Sequence, residues 1–186
     1  MTMFNTTQAN RASSAPDALD VQPADRIVTG PERRAAVKTW LLTAAADRDI
    51  ARREWDRHSV ALLRCGGIFT AVRVPMVLVE AAAGTEDRRK IGAYLDEALL
   101  GGAVFLDEGS SHVHFLVSPT VWNRWNVPDS ECLVQDSYLG VPNPDPDPDE
   151  PSRWLLGMGG PGDLCVPDAV KQLVMFARFR AAQGGA

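Results

Sequence analysis

Asp107, Glu108, His112 and His114 are the residues of this chain whose types and spacing could do chemistry: two adjacent carboxylates followed by two of the three histidines. All four lie within residues 101–119, GGAVFLDEGSSHVHFLVSP. Carboxylates and imidazoles that converge on a divalent cation can bridge and neutralise phosphate oxygens, the basis of phosphoryl and nucleotidyl transfer. That reading gives Asp107, His112 and His114 catalytic roles and assigns Asp107, Glu108 and His112 to a metal, Mg2+ or Mn2+. Successive residues of a strand point to opposite faces, however, so Asp107 and Glu108 do not easily share an ion. The plainer account is turn chemistry: both acids solvated at the tip, Gly109 at positive φ, and Ser110 and Ser111 bonding locally. On that account no cofactor is expected.

The elements that must position these residues form a hairpin. Residues 103–106 are a continuous apolar run, which predicts a central strand covered on both faces. Residues 112–117 alternate, with Val113, Phe115 and Val117 on one face and His112, His114 and Leu116 on the other. Upstream, residues 1–28 are rich in Asn, Thr, Ser, Ala, Pro and Asp with scattered hydrophobics and read as a disordered tail, and residues 29–182 as a single domain. Within it, residues 29–63 read as a helical segment: Thr29 caps a helix beginning near Pro31, and Asp47 caps a second with Ile50 and Trp55 buried. Residues 64–182 read as the sheet-containing core. IFTAVRV (68–74) is a strand ended by Pro75, and two helices follow, stopped by Gly84 and by Gly101 and Gly102. Val121, Trp122 and Trp125 fit a short helix. Residues 132–135, 138–141 and 153–156 are short strands, and residues 167–180 form a closing helix with Met175, Phe176 and Phe179 widening its buried stripe. Residues 142–152 (PNPDPDPDEPS) predict an exposed acidic Pro/Asp loop. The fold class is therefore α+β: a mixed β-sheet with helices mainly on one face, preceded by an N-terminal helical segment.

Charge and composition narrow the partners. The net charge of −5 and pI near 5.2 argue against a general nucleic-acid coat or an anionic-membrane binder. No stretch has the apolar length of a membrane span or a signal peptide, so the expectation is a soluble, cytoplasmic protein. Three cysteines without CxxC spacing argue against a zinc ribbon or a disulfide framework. GMGGPG (157–162) fits GxGxxG by spacing alone, without the βαβ continuation that dinucleotide binding needs. Arg48, Arg52, Arg53 and Arg57 make the second helix the most basic region. They read as a solvated mixed-charge face or as a docking surface for an acidic partner or nucleic acid. Trp122, Arg124 and Trp125 could offer a stacking platform, although tryptophans on apolar stripes more often pack in the core.

From about Arg64 onward, FTAVRVP, a helical pair, GGAVFLDE, HFLVSP, a tryptophan, RWLLG and a closing helix resemble small actinobacterial proteins related to the N-terminal domain of bifunctional DNA primase/polymerases (prim-pol). The resemblance covers roughly two-thirds of the chain and rests on apolar strand patterns. It implies the archaeo-eukaryotic primase superfamily, whose sheet carries a DxD-type metal motif, a catalytic histidine and a further acid, and which adds nucleotides on a DNA template. Here Asp107-Glu108 lacks a second acid two residues on, His112 or His114 would stand for the family histidine, and no third acid is assignable. The resemblance thus implies a scaffold whose chemistry is lost: a non-catalytic regulatory or accessory factor, with a protein partner and a connection to DNA transactions. The alternatives are a metal-dependent nucleotidyl or phosphoryl transfer enzyme, and a protein-protein adaptor with no nucleic-acid role.

Overall fold

A computed structural model describes residues 29–145 and 153–184. The expected tail (1–28) and most of the acidic Pro/Asp loop (146–152) lie outside the described residues. Helix α1 (Gly30–Leu41) starts at Thr29 in a reciprocal capping box, in which the Thr29 hydroxyl accepts from the Glu32 amide and the Glu32 carboxylate accepts from the Thr29 amide at 3.0 Å. The Asp47 carboxylate caps α2 (Arg48–His58) by accepting from the amides of Asp49 and Ile50.

Ser59 ends α2 in the left-handed conformation, φ 57°, and the chain leaves as strand β1 (Val60–Arg64). The helical segment expected to reach residue 63 therefore stops short. Alternation of Ala61 and Leu63 inside with Leu62 and Arg64 outside is a strand pattern, hidden in the sequence because the run is short and follows a helix directly.

The main sheet has five strands in the order β5 (Glu131–Cys132), β2 (Thr70–Pro75), β4 (His112–Val117), β3 (Ala103–Asp107), β7 (Trp154–Leu156). Its ladders are antiparallel, and an isolated parallel bridge, Val117 to Cys165, gives it a mixed character at one corner. Strand β6 (Tyr138–Pro142) pairs with β1 as a separate two-stranded ribbon. Helices α3 (Met76–Ala83), α4 (Arg88–Leu99) and α5 (Pro167–Gly184) cover one face, where Val72, Val104, Leu106, Val113 and Phe115 meet Val79, Ile91, Leu95, Leu99 and Val174. The other face, with Ala71, Ala103, Phe105 and Leu116, packs in one core with Leu41 of α1, Trp55 of α2, and Leu63 and Val141 of the ribbon. The Trp55 indole donates to the Val141 carbonyl at 2.9 Å, tying α2 to β6. The architecture is α+β, with three helices on one face and the N-terminal helices on the other side of the sheet.

Several packing expectations are corrected. Ile50 is 47% exposed, and Ala51 takes the inward position beside Trp55. Met175, Phe176 and Phe179 face outward on α5, whose inner stripe is Val170, Leu173, Val174 and Ala177. Residues 121–125 form no α-helix, only a 3-10 turn (Pro119–Val121) whose start has no side-chain cap bond.

Gly102 is where the layers close. Its φ is 102°, and a Cβ there would come within 2.7 Å of the Cys165 backbone and sulfur. Cys165 cannot yield, because its amide donates to the Leu116 carbonyl at 2.8 Å. Gly102→Ala should destabilise the protein by about 3 kcal/mol, from strain and overpacking together. Gly160→Ala, with open space around it, should be near neutral. Urea titration of both variants checks this.

Candidate functional site

The β3–β4 hairpin aligns Asp107 with His112 and Phe105 with His114 across the strands. Its turn is held by Asp107, whose carboxylate accepts from the Gly109 amide at 3.1 Å and the Ser110 hydroxyl at 2.6 Å. Positive φ falls on Ser111 (54°) rather than on Gly109, because the turn is closed by the Asp107 bonds and the Ser111 carbonyl accepts from the Met76 amide at 2.9 Å. His112 Nδ1 lies 2.6 Å from the Ser110 carbonyl, and a carbonyl only accepts, so that nitrogen is the donor.

The four residues separate into two places. Glu108 turns toward α4, forms an ion pair with Arg88 at 2.7 Å, and lines a cavity of about 690 Å3 with His112, Glu80 and Glu86. Asp107 and His114 line a second cavity, about 300 Å3, between the sheet and the ribbon, with Arg73, Tyr138 and Arg153. Asp107, Glu108 and His112 therefore do not come together as a ligand set. Among the described residues, no three His, Cys, Asp or Glu side chains form a group that could hold a metal ion. The residues present do not fit the paired-carboxylate metal site of polymerase chemistry.

His114 is the unusual group. It is 4% exposed, stacks on Phe105 with centroids 5.1 Å apart and planes 19° apart, and its Nδ1 has no hydrogen-bond partner among the described residues. Burial lowers its pKa to about 4; the Asp107 charge opposes that, while Arg73 and His112 reinforce it. The imidazole is neutral at pH 7. The Asp107 carboxyl is held below its usual range, chiefly by the Ser110 hydroxyl, with the Gly109 amide and His114 adding to this against a cost of burial.

The interaction candidates also divide. Arg48, Arg52, Arg53 and Arg57 are all exposed on α2, but acids are interleaved with them, and Arg52 is paired with Asp49 at 2.6 Å. Trp122 is exposed and stands apart, whereas Arg124 and Trp125 line a third cavity, about 360 Å3, beside the start of α5. The trio is not one platform. In the GMGGPG loop, the Gly159 amide donates to the Asp163 carboxylate at 2.8 Å, so it is turned onto its own loop. Cys65, Cys132 and Cys165 are buried free thiols; burial pushes Cys132 up to about 11 and Cys165 to about 12, far from nucleophilic character at neutral pH.

Sequence reasoning missed Arg73, Tyr138 and Arg153 around His114. Arg73 carried a signal, as the one charge in the apolar strand TAVRVP. Tyr138 and Arg153 carried none, since the ribbon and β7 bring them in from distant parts of the chain. Comparison with protein-family models, curated proteins and solved structures finds no match in any of the three. No helix among the described residues is long and apolar enough to cross a membrane.

His114 predicts a specific acid sensitivity. Its folded pKa lies below the unfolded value of 6.5, so as pH falls from 6.5 toward 4 the unfolded chain takes up a proton that the folded chain refuses. Stability is thus full above pH 6.5 and falls through that window, by roughly 3 kcal/mol at its lower end. His114→Phe, which keeps a ring against Phe105, should lose this component, while the Asp107 contribution, lost at lower pH, remains. Denaturant titrations of both proteins at pH 7, 5.5 and 4.5 should therefore diverge; parallel curves would rule out His114 as the source.

Proposed function

We propose that this chain is a prim-pol-like scaffold that acts by binding, as a regulatory or accessory factor in DNA transactions, rather than by nucleotide transfer. The observation that supports it most is the division of the two acids. Asp107 is engaged by its own turn and Glu108 by Arg88 on the opposite side of the sheet, so neither is available to a shared pair of cations. A protein partner would find apolar anchor residues at Met175, Phe176 and Phe179, all outward on α5. Incubation with template, primer, nucleotides and Mn2+ should give no extension, and sustained synthesis would overturn the proposal.

One observation favours the enzyme reading: Asp107 and His114 do line a common cavity. Under that reading, Mn2+ or Mg2+ should raise the melting temperature, and Asp107→Ala should abolish the rise. Under the binding reading, neither ion shifts the midpoint at millimolar concentration. Differential scanning fluorimetry of the two proteins separates the alternatives.

A further inference from the structure

We infer that the third cavity is a site for one phosphorylated nucleoside unit, free or within a single strand, held between Arg124, Lys171 and Trp125. It lies at the far end of β4 from the Asp107–His112 hairpin, between the residues that follow Val117 and the first turns of α5. Its volume of about 360 Å3 is within the range of small-ligand sites.

The charges point to an anion. Arg124 and Lys171 both line the cavity, and neither side chain has an ion-pair or hydrogen-bond partner among the described residues. Arg73, Arg88 and Arg178, by contrast, each sit within 3.0 Å of a carboxylate, at 2.9, 2.7 and 2.6 Å. Asp129, on the same loop as Trp125, is taken by Arg178. Asp168 is the one acid in the lining, which leaves a local excess of positive charge in an acidic protein. Two unpaired cations beside one pocket attract phosphate more strongly than either would alone.

The aromatic wall narrows the anion to one that carries a ring. Trp125 is half-buried, and its indole N–H donates to Ser130 Oγ at 3.0 Å, while Ser130 in turn donates to the Val127 carbonyl at 2.8 Å. The ring is therefore fixed in advance, so little ordering cost falls on binding. Ser118 and Thr120 add hydroxyls, 3.2 Å apart, of the kind that bond phosphate or sugar oxygens. A bare anion would leave the ring unused, and an apolar ligand would leave both cations uncompensated. A nucleotide, with its base on the indole and its phosphate on the cations, satisfies both, and such stacking tolerates any base.

The inference rests on the nucleic-acid part of the proposed function but assigns it a site away from the basic helix α2. The test is an anisotropy titration of the full chain against fluorescein-labelled oligothymidylate over a salt series, with thymidine monophosphate and inorganic phosphate as competitors. Arg124→Ala/Lys171→Ala should weaken strand binding at least roughly tenfold at low salt and make the slope of log K against log salt shallower by about 0.7, for the one phosphate the two cations hold. Arg52→Ala/Arg53→Ala on α2 should change neither. Competition by the mononucleotide at far lower concentration than inorganic phosphate supports the role of Trp125; equal competition overturns it. Mononucleotide binding without strand binding, read by calorimetric titration of thymidine monophosphate into the full chain, assigns the site to free nucleotides. If the α2 variant alone loses binding, the nucleic-acid role survives and this site falls; if no arm binds, both fall.

Discussion

Residues 112–117 are hydrogen-bonded to β2 along one edge and to β3 along the other; helices close over one face of that strand, and the ribbon with the N-terminal helices over the other. A strand enclosed on four sides has no solvent to absorb a polar group, so each such group must find a partner or lose its charge. His114 is the case in point: it keeps its imidazole in the core only as a neutral ring laid on Phe105. The same enclosure explains Gly102, where the crossing between layers leaves no room for a single carbon. It also leaves the two ends of β4, where the backbone emerges from cover, as places where charged side chains line cavities.

At one end, the acids that looked like a metal motif are absorbed by local demands. A turn needs its amides satisfied, and Asp107 is placed to do that at no cost in reach. At the other end, Arg124 and Lys171 have no such task among the described residues. The difference between these two ends is one of electrostatic compensation rather than residue type.

The capping residues Thr29 and Asp47, the strand at Ala103–Asp107 and the alternation of β4 were all legible in the sequence, because each depends on neighbours within a few positions. So was the divergence of Asp107 and Glu108, which follows from the pleat alone. β1 was not legible, since a five-residue strand directly after a helix gives too short a period to separate the two patterns. Nor was the outward orientation of Phe176 and Phe179, because apolar residues adjacent to a buried stripe look the same whether or not a partner element covers them. The surroundings of His114 depend on β6 and β7 arriving from far along the chain, which no local pattern encodes.

The β1–β6 ribbon has a kinetic meaning. Val60 pairs with Pro142, so its ladder closes a loop that contains all of β2, α3, α4, β3, β4 and β5. The hairpin of β3 and β4, joined by a short turn, forms at small entropic cost, whereas the ribbon must wait until most of the intervening chain is compact. It would therefore be assembled late and released early. In a transient opening, the first layer to lift would be the one that seals His114, exposing the imidazole while the α3–α5 side stays folded.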